Sequence, residues 1–397
     1  MERLADFELI KPEVAKEPTE YYNKLRSGCP VSHTDTFGGF WLMSRYQDVY
    51  EALLDPVTYS SSLNGISIPK IPQPPVICLE QDEPEHRKFR KPMQAWFTVA
   101  RMRKFEPQVR EIVTNCLDQF AAEGRGDLAL SLAQPVPPLV VARLLGLPEA
   151  DWPWFRERDV TALRLTREGD NTGAAAAIAD LHEYVRERLN ERRKQPTDDL
   201  LSEIAALEID GMPITDDDAV AMALLTLNAA HDTTVAGIGG LLYHLARNQN
   251  VQDQVTADQS LVESAVDEAL RIATPILGQG RTATEDLSLE GVEVPKGDQV
   301  MLLLGSANRD PSRFPSPDEF RLDRPRNQHV SFGAGIHRCV GAPLAKLEMQ
   351  VVLEEVLRRL PNLRIDDEDA VSVEYNVAVC TFTSLPAAWD LAPGGSA

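Results

Sequence analysis

The chain has 397 residues, 43% of them hydrophobic, and a formal charge of −21. That length and apolar fraction suffice for a substantial core, while the acidity excludes general binding to nucleic acids or anionic membranes. Five scattered cysteines (Cys29, Cys78, Cys116, Cys339, Cys380) offer no disulfide framework and point to a reducing cytoplasm; the N-terminus lacks a signal-peptide core, and no uncharged apolar run reaches the ~18 residues of a membrane span.

No linker, repeat or low-complexity tract divides the chain, so one domain over 1–397 is expected, with 1–19 and 391–397 peripheral. In chain order, 20–28 reads as a short helix ended by Gly28 and Pro30, 40–43 as a strand and 46–54 as a helix. Residues 60–79 read as a proline-rich apolar loop whose one charge is Lys70. In Asp82-Glu83-Pro84-Glu85-His86-Arg87-Lys88-Phe89-Arg90, Pro84 suits a first helical turn. His86 and Arg90, at i and i+4, share a face on which both can reach one anion. No acidic residue lies between His86 and Phe105, whereas Arg87, Lys88, Lys91, Arg101, Arg103 and Lys104 are basic. In so acidic a chain this is either a solvated helix face or a docking patch for an acidic protein.

Helices follow at 109–120, 135–147, 154–165 and 174–192, the last two joined by the polar stretch 166–172. The longest helix is predicted over 216–246, with Thr215 as N-cap and Asp216, Asp217 and Asp218 well placed in its first turn. Most of it is apolar, so Asn228, His231, Asp232, Thr233 and Thr234 in its middle are costly to bury unless paired, which suggests a function. Leu225, Ala229, Asp232 and Thr233 fall on one face. Thr233 can bond backward to a carbonyl, Asp232 can relay protons, and His231 reads as a packing or supporting group rather than a metal ligand. Glu268 and Arg271 form a common i,i+3 helical pair. The stretch Ser331-Phe332-Gly333-Ala334-Gly335-Ile336-His337-Arg338-Cys339-Val340-Gly341-Ala342 sets one thiol in a glycine-rich loop before a helix at 343–360. Unpaired N–H groups and the helix dipole there favour a thiolate. A dinucleotide loop would need glycine where Arg338 stands, and zinc would need C-x-x-C or H-x-E partners. Residues 377–382 read as a strand and 384–386 as a turn.

The cysteine stretch resembles the haem-binding loop of cytochromes P450, Phe-Gly-x-Gly-x-(His/Arg)-x-Cys-x-Gly, at Phe332, Gly333, Gly335, His337, Cys339 and Gly341. The run from Ala229 to Thr234 resembles that family's (Ala/Gly)-Gly-x-(Asp/Glu)-Thr oxygen-activation motif, with Ala230 in the usual glycine position. The segment from Asp82 to Arg90 resembles Asp-x-Pro-x-His-x-x-x-Arg, and Glu268, Arg271 and Arg324 match Glu-x-x-Arg with its later arginine. The likeness runs from about residue 20 to Trp389 and is to the soluble bacterial members.

The resemblance implies a mainly α fold with a small β region, holding haem b between the long central helix and the cysteine loop. Cys339 is then the axial ligand of the haem iron. Ala229, Phe332, His337 and Gly341 lie at the cofactor, and His86, Arg90 and Arg281 bind it, chiefly through its propionates. Asp232 and Thr233 deliver protons, and Glu268, Arg271 and Arg324 fix the segment before the cysteine. The helix pair at 154–192 is a lid over the pocket. The implied activity inserts one atom of O2 into a small, mainly apolar substrate near Leu225, Asn228, Ala229, Ile276, Leu277 and Val379, by hydroxylation, O- or N-dealkylation or epoxidation. Electrons pass from NAD(P)H through a ferredoxin reductase and a ferredoxin that docks on the basic patch of a cytoplasmic monomer. A peroxide-driven haem-thiolate peroxygenase and a non-enzymatic haem sensor are the alternatives. The Asp232–Thr233 pair speaks against the first; the basic patch, the oxygen motif and the lid-like helices speak against the second.

Overall fold

A computed structural model describes residues 7–70, 74–168, 170–376 and 378–391. Ile71 and Pro72 of the proline-rich loop and Val377 of the last strand lie outside the described residues, as do the side chains of Thr166 and Arg167. Among the described residues no helix is long and apolar enough to cross a membrane.

The fold is mainly helical and is built around the helix Asp216–Ala246, whose 31 residues span roughly 46 Å at 1.5 Å per residue. Thr215 caps it, its Oγ1 accepting the N–H of Asp218 at 3.1 Å, and three aspartates in the first turn complement the dipole. Met222, Ala223 and Leu224 on one side and the run from Thr234 to Tyr243 on the other are buried, yet Asn228 and Ala229 between them are exposed. A helix closed at both ends and open in its middle borders an internal opening. Val136–Leu145, Asn171–Lys194, Val262–Ala273 and Ala342–Arg359 pack around it, and one apolar cluster joins Val140, Leu224, Ile238, Leu270 and Val352.

Five strands form the larger sheet, in the order Val31–Thr34, Phe40–Met43, Gln299–Leu302, Gln279–Ala283, Tyr59–Ser60. Its register sets Arg281 opposite Val300. A separate hairpin pairs Ser372–Asn376 with Val379–Ser384 and reaches the chain beyond Val262–Ala273 through a bridge between Val379 and Ile276.

Four local expectations need correction. The helix predicted at 109–120 is Val99–Asp118, capped by Thr98, whose Oγ1 accepts the N–H of Arg101 at 3.3 Å. The basic run and Pro107 disguised the apolar period that Met102 and Phe105 carry into the core. Most of the stretch expected to join the lid helices is itself helical, within Trp152–Glu168 and Asn171–Lys194; the Asp170 side chain caps the second by accepting the N–H of Gly173 at 2.9 Å. Pro84 stands at the N-cap of Glu85–Trp96, not inside it. Pro386 begins a strand, Pro386–Ala388, that pairs with Arg125–Asp127 and Arg364–Ile365; a first strand position tolerates proline.

Candidate active site

The helix Ala342–Arg359 begins three residues past Cys339, with Gly341 at its N-cap and Pro343 in its first turn. The Cys339 N–H closes the loop on the carbonyl of Phe332 at 2.8 Å. Gly335 has φ +66°, and a Cβ there would collide with the carbonyl of Leu53, so the loop requires glycine at that point. The thiol is exposed yet surrounded by protein, the condition of a group on a cavity floor. Burial pushes it above the ordinary thiol pKa, while the N–H groups of Gly341 and Ala342 and the guanidiniums of Arg90 and Arg338 pull it down. The N–H groups at the helix end thus favour the thiolate, as expected, but burial outweighs them; the charge of a metal ion bound here would favour it further. Among the described residues no group of three or more His, Cys, Asp or Glu side chains can hold a metal ion. A metal at Cys339 must therefore bring its other ligands with it, as porphyrin iron does.

Basic side chains gather beside this loop. Arg281 is 3% exposed, donating to the carbonyl of Gly280 at 2.7 Å and reaching Gln279 only at 3.5 Å. Burial pulls its pKa to about 10 against the opposing charge of Asp82. That carboxylate is itself engaged by Ser60 Oγ at 2.5 Å, Ser62 Oγ at 2.7 Å and the N–H of Ser61 at 3.0 Å. The rings of His86 and His337 stand 4.5 Å apart. Nε2 of His86, Nε2 of His337 and Nε of Arg90 are buried without a hydrogen-bond partner, while Nδ1 of His86 lies 3.6 Å from the Glu83 carboxylate. Burial first, then the charges of Arg281 and His86, depress His337 to about 3; burial likewise lowers His86. Arg90 also donates to the carbonyl of Arg338, tying it to the cysteine loop. Buried polar groups left unmet are costly, and the two carboxylates of haem b would supply acceptors for the donors of this set. Thiol and donors together fit that cofactor.

Behind the loop, Glu268 and Arg271 lie on Val262–Ala273, both fully buried. The Glu268 carboxylate accepts two bonds from Arg271 at 2.8 Å, one from Arg324 at 2.8 Å, one from the N–H of Arg321 at 2.9 Å and one from Asn327 at 3.1 Å. Arg271 also donates to the carbonyls of Asn308 and Pro317 at 2.9 and 2.7 Å. Asn308, unassigned in the sequence analysis, donates to Ser331 Oγ at 2.8 Å and accepts the N–H of Val330 at 2.7 Å. These bonds bind the segment preceding Cys339 to the helix.

On the central helix, Thr233 Oγ1 donates to the carbonyl of Ala229 at 2.9 Å, the expected backward bond. Asp232 and Thr233 share a face but no hydrogen bond with each other. Instead Asp232 Oδ1 lies 2.9 Å from Nδ1 of His231, a pairing the sequence analysis missed although an imidazole beside the acid was there to be weighed. Burial raises the Asp232 carboxyl, but His231 and, further off, Arg156 outweigh it and hold the group below its ordinary range.

Of the expected pocket residues, Leu225 is half-buried and Asn228 and Ala229 are exposed. Ile276 and Val379 bridge. Leu277 does not join them. It is buried among Tyr22, Leu42 and Met301 beneath the N-terminal segment, because successive side chains of an extended segment point to opposite sides. The basic tract is narrower than its sequence: Arg87 pairs with Glu83, Lys88 with Glu85 and Asp210, and Arg101 with Glu203. Lys91, Arg103 and Lys104 are exposed and form no ion pair among the described residues.

A family model described as Cytochrome P450 matches residues 160–377. The chain is 33% identical over 394 residues to cytochrome P450 monooxygenase PikC of Streptomyces venezuelae, covering 97% of this chain and 94% of that protein. It is 34% identical over 352 residues to the mycinamicin IV hydroxylase/epoxidase of Micromonospora griseorubida, covering 87% and 88%. Among solved structures, CYP108D1 of Novosphingobium aromaticivorans superposes with a TM-score of 0.87 at 31% identity over 96% of this chain and 99% of that one. A mutant of P450 EryK in complex with erythromycin B superposes at 0.86 with 30% identity, covering 97% and 99%.

Proposed function

The chain belongs to the cytochrome P450 family and is an oxidoreductase of the monooxygenase kind; on that premise we propose that it inserts one oxygen atom of O2 into a small, mainly apolar organic substrate, with electrons from NAD(P)H passed by a ferredoxin reductase and a ferredoxin. The observation that carries the residue assignments is the meeting of one loop thiol, Cys339, with the buried guanidinium of Arg281 and with buried side-chain nitrogens of His86, Arg90 and His337 that lack hydrogen-bond partners. Haem b bound there, with its iron held by Cys339, would supply dioxygen binding and its reductive activation. The other groups position and protonate. Arg281, His86, Arg90 and His337 would hold the propionates. Asp232, 48% exposed at its side chain, takes protons from solvent water and passes them inward. Thr233 has its hydroxyl hydrogen committed to Ala229, so its oxygen is left to accept a hydrogen bond and order a proton donor at the site.

Exposed Ala229 offers close approach to the cofactor, and Leu225, Asn228, Ile276 and Val379 offer a pocket that is apolar except for one amide. A relative named for both hydroxylation and epoxidation favours those two outcomes over dealkylation. For the electron donor, the unpaired charges of Lys91, Arg103 and Lys104 are the part of the basic tract left free to meet an acidic partner. Five free cysteines support work in the reducing cytoplasm, where we place the protein as a monomer. The test is reconstitution. The ferric protein is first screened against a compound library for a low-to-high-spin change, and turnover of a hit is then compared with ferredoxin, reductase and NAD(P)H or with hydrogen peroxide alone. Product only in the first arm is expected; product only with peroxide overturns the proposal. Thr233→Ala is expected to keep the spin change but divert reducing equivalents to peroxide, and unchanged coupling would remove Thr233 from the mechanism.

A further inference from the structure

The acid of the central helix is held by its own neighbour. Consecutive helical residues do not ordinarily face one another, yet Nδ1 of His231 and Oδ1 of Asp232 are 2.9 Å apart, so both side chains bend toward a common point. What keeps the imidazole there comes from another element. The indole of Trp152 meets it edge to face, with centroids 4.5 Å apart and planes at 68°. Trp152 opens the first lid helix, Trp152–Glu168. Arg156, one turn on and on the same face, is the next charge felt by Asp232 and donates to Gln134 Oε1 at 3.1 Å. The His231 side chain is 14% exposed and that of Asp232 48%: the ring is clamped and the carboxylate stays open to water. Packing alone would account for the ring against Trp152. It would not turn Nδ1 onto the carboxylate.

We propose that His231 is a positioning residue of the proton relay: its Nδ1–H holds the Asp232 carboxylate, and Trp152 of the lid helix holds His231, so the seating of the lid's first turn sets the alignment of the relay. The proposal rests on the monooxygenase reading above. With Oδ1 engaged by the imidazole, Oδ2 of Asp232 takes a proton from solvent water and passes it inward. The next proton from water replaces it, and the pair ends each cycle as it began. Thr233 does not compete with His231 for the Asp232 carboxylate, since its hydroxyl hydrogen is on Ala229. Notably, the sequence motif leaves the position of His231 open, so this connection to the lid belongs to this chain's own side chains.

Two substitutions separate the donor from the ring. His231→Phe keeps an aromatic ring for Trp152 and removes the N–H; His231→Asn keeps an N–H near the place of Nδ1 and removes the ring. All proteins are first examined as reduced carbonyl complexes. A red-shifted Soret band in wild type and both variants shows that the haem-thiolate site is assembled, and its absence in wild type would count against the family-level site rather than against His231. Crystal structures of the haem-loaded variants then report the Asp232 carboxylate. Dioxygen uptake with ferredoxin, reductase and NADPH, without added substrate, is followed against pH. His231→Phe is expected to release the carboxylate and to move the acid limb of uptake to higher pH, because the leading influence opposing burial of Asp232 is lost. His231→Asn is expected to stay near wild type in both readouts. An unmoved carboxylate and acid limb in His231→Phe overturn the proposal, and so does equal disturbance in both variants, which would make the ring's packing the whole of its role.

Discussion

Replacing Glu268 by glutamine changes almost no volume but removes the charge on which two buried guanidiniums converge. The side chain of Arg271 is 0% exposed and that of Arg324 6%, so neither can recover its lost partner from water. The amide would also present an N–H2 to groups that only donate, where the carboxylate accepts from Arg271, Arg324 and the N–H of Arg321. Breaking a buried ion pair from one side costs about 3–5 kcal/mol. At roughly 4 kcal/mol the folded-to-unfolded ratio falls on the order of a thousandfold, a large part of the ~5–15 kcal/mol that holds a domain together. The assay is urea denaturation followed by circular dichroism, with haem retention read in parallel, because the segment tied down here leads to Cys339. A variant within about 1 kcal/mol of wild type, retaining haem normally, would refute the reasoning. The pH dependence has a definite sign. Burial raises the Glu268 carboxyl, but its bonds from Arg271, Arg324 and Arg321 outweigh that and leave its folded pKa below the ordinary value. Its contribution is thus complete above the ordinary glutamate pKa of ~4.3 and is lost as pH falls through the lower folded value. The advantage of wild type over Glu268→Gln should shrink below that range.

Arg281→Gln should weaken haem retention by roughly 10- to 100-fold, the worth of a charge-assisted hydrogen bond of about 1.5–3 kcal/mol, measured as haem transfer to apomyoglobin; an unchanged transfer rate would remove Arg281 from the propionate site. Charge reversal at Lys91, Arg103 and Lys104 together should raise the KM for ferredoxin, most at low ionic strength, and leave ligand-induced spin changes alone. The same reversal at Arg87, Lys88 and Arg101 should do less to ferredoxin, since those three already have acidic partners.

Several parts of this molecule were legible before its fold. The central helix ends where Thr215 and the apolar period say it should, because a cap, three first-turn aspartates and a long buried face agree. The pairing of Glu268 with Arg271 was legible through residue types at a fixed spacing. Other features depend on contacts between distant segments that no local pattern records. The first half of Val99–Asp118 was hidden because its surface is charged while Met102 and Phe105 face inward. Leu277 seemed to belong with Ile276 because they are adjacent, but an extended backbone sends neighbours to opposite clusters. Half of the basic tract is neutralised by acids from elsewhere, Asp210 and Glu203 among them. His231 meets Trp152 across 79 positions of chain, so only the fold reveals what clamps it.

The central claim is that Cys339 binds the haem iron as thiolate. The carbonyl complex of the reduced protein tests it directly, recorded for wild type and Cys339→His. Wild type is expected to show the red-shifted Soret band of thiolate ligation and the variant to lose it; a wild-type band at the histidine-ligated position, or a red-shifted band that survives the substitution, would rule out Cys339 as the ligand.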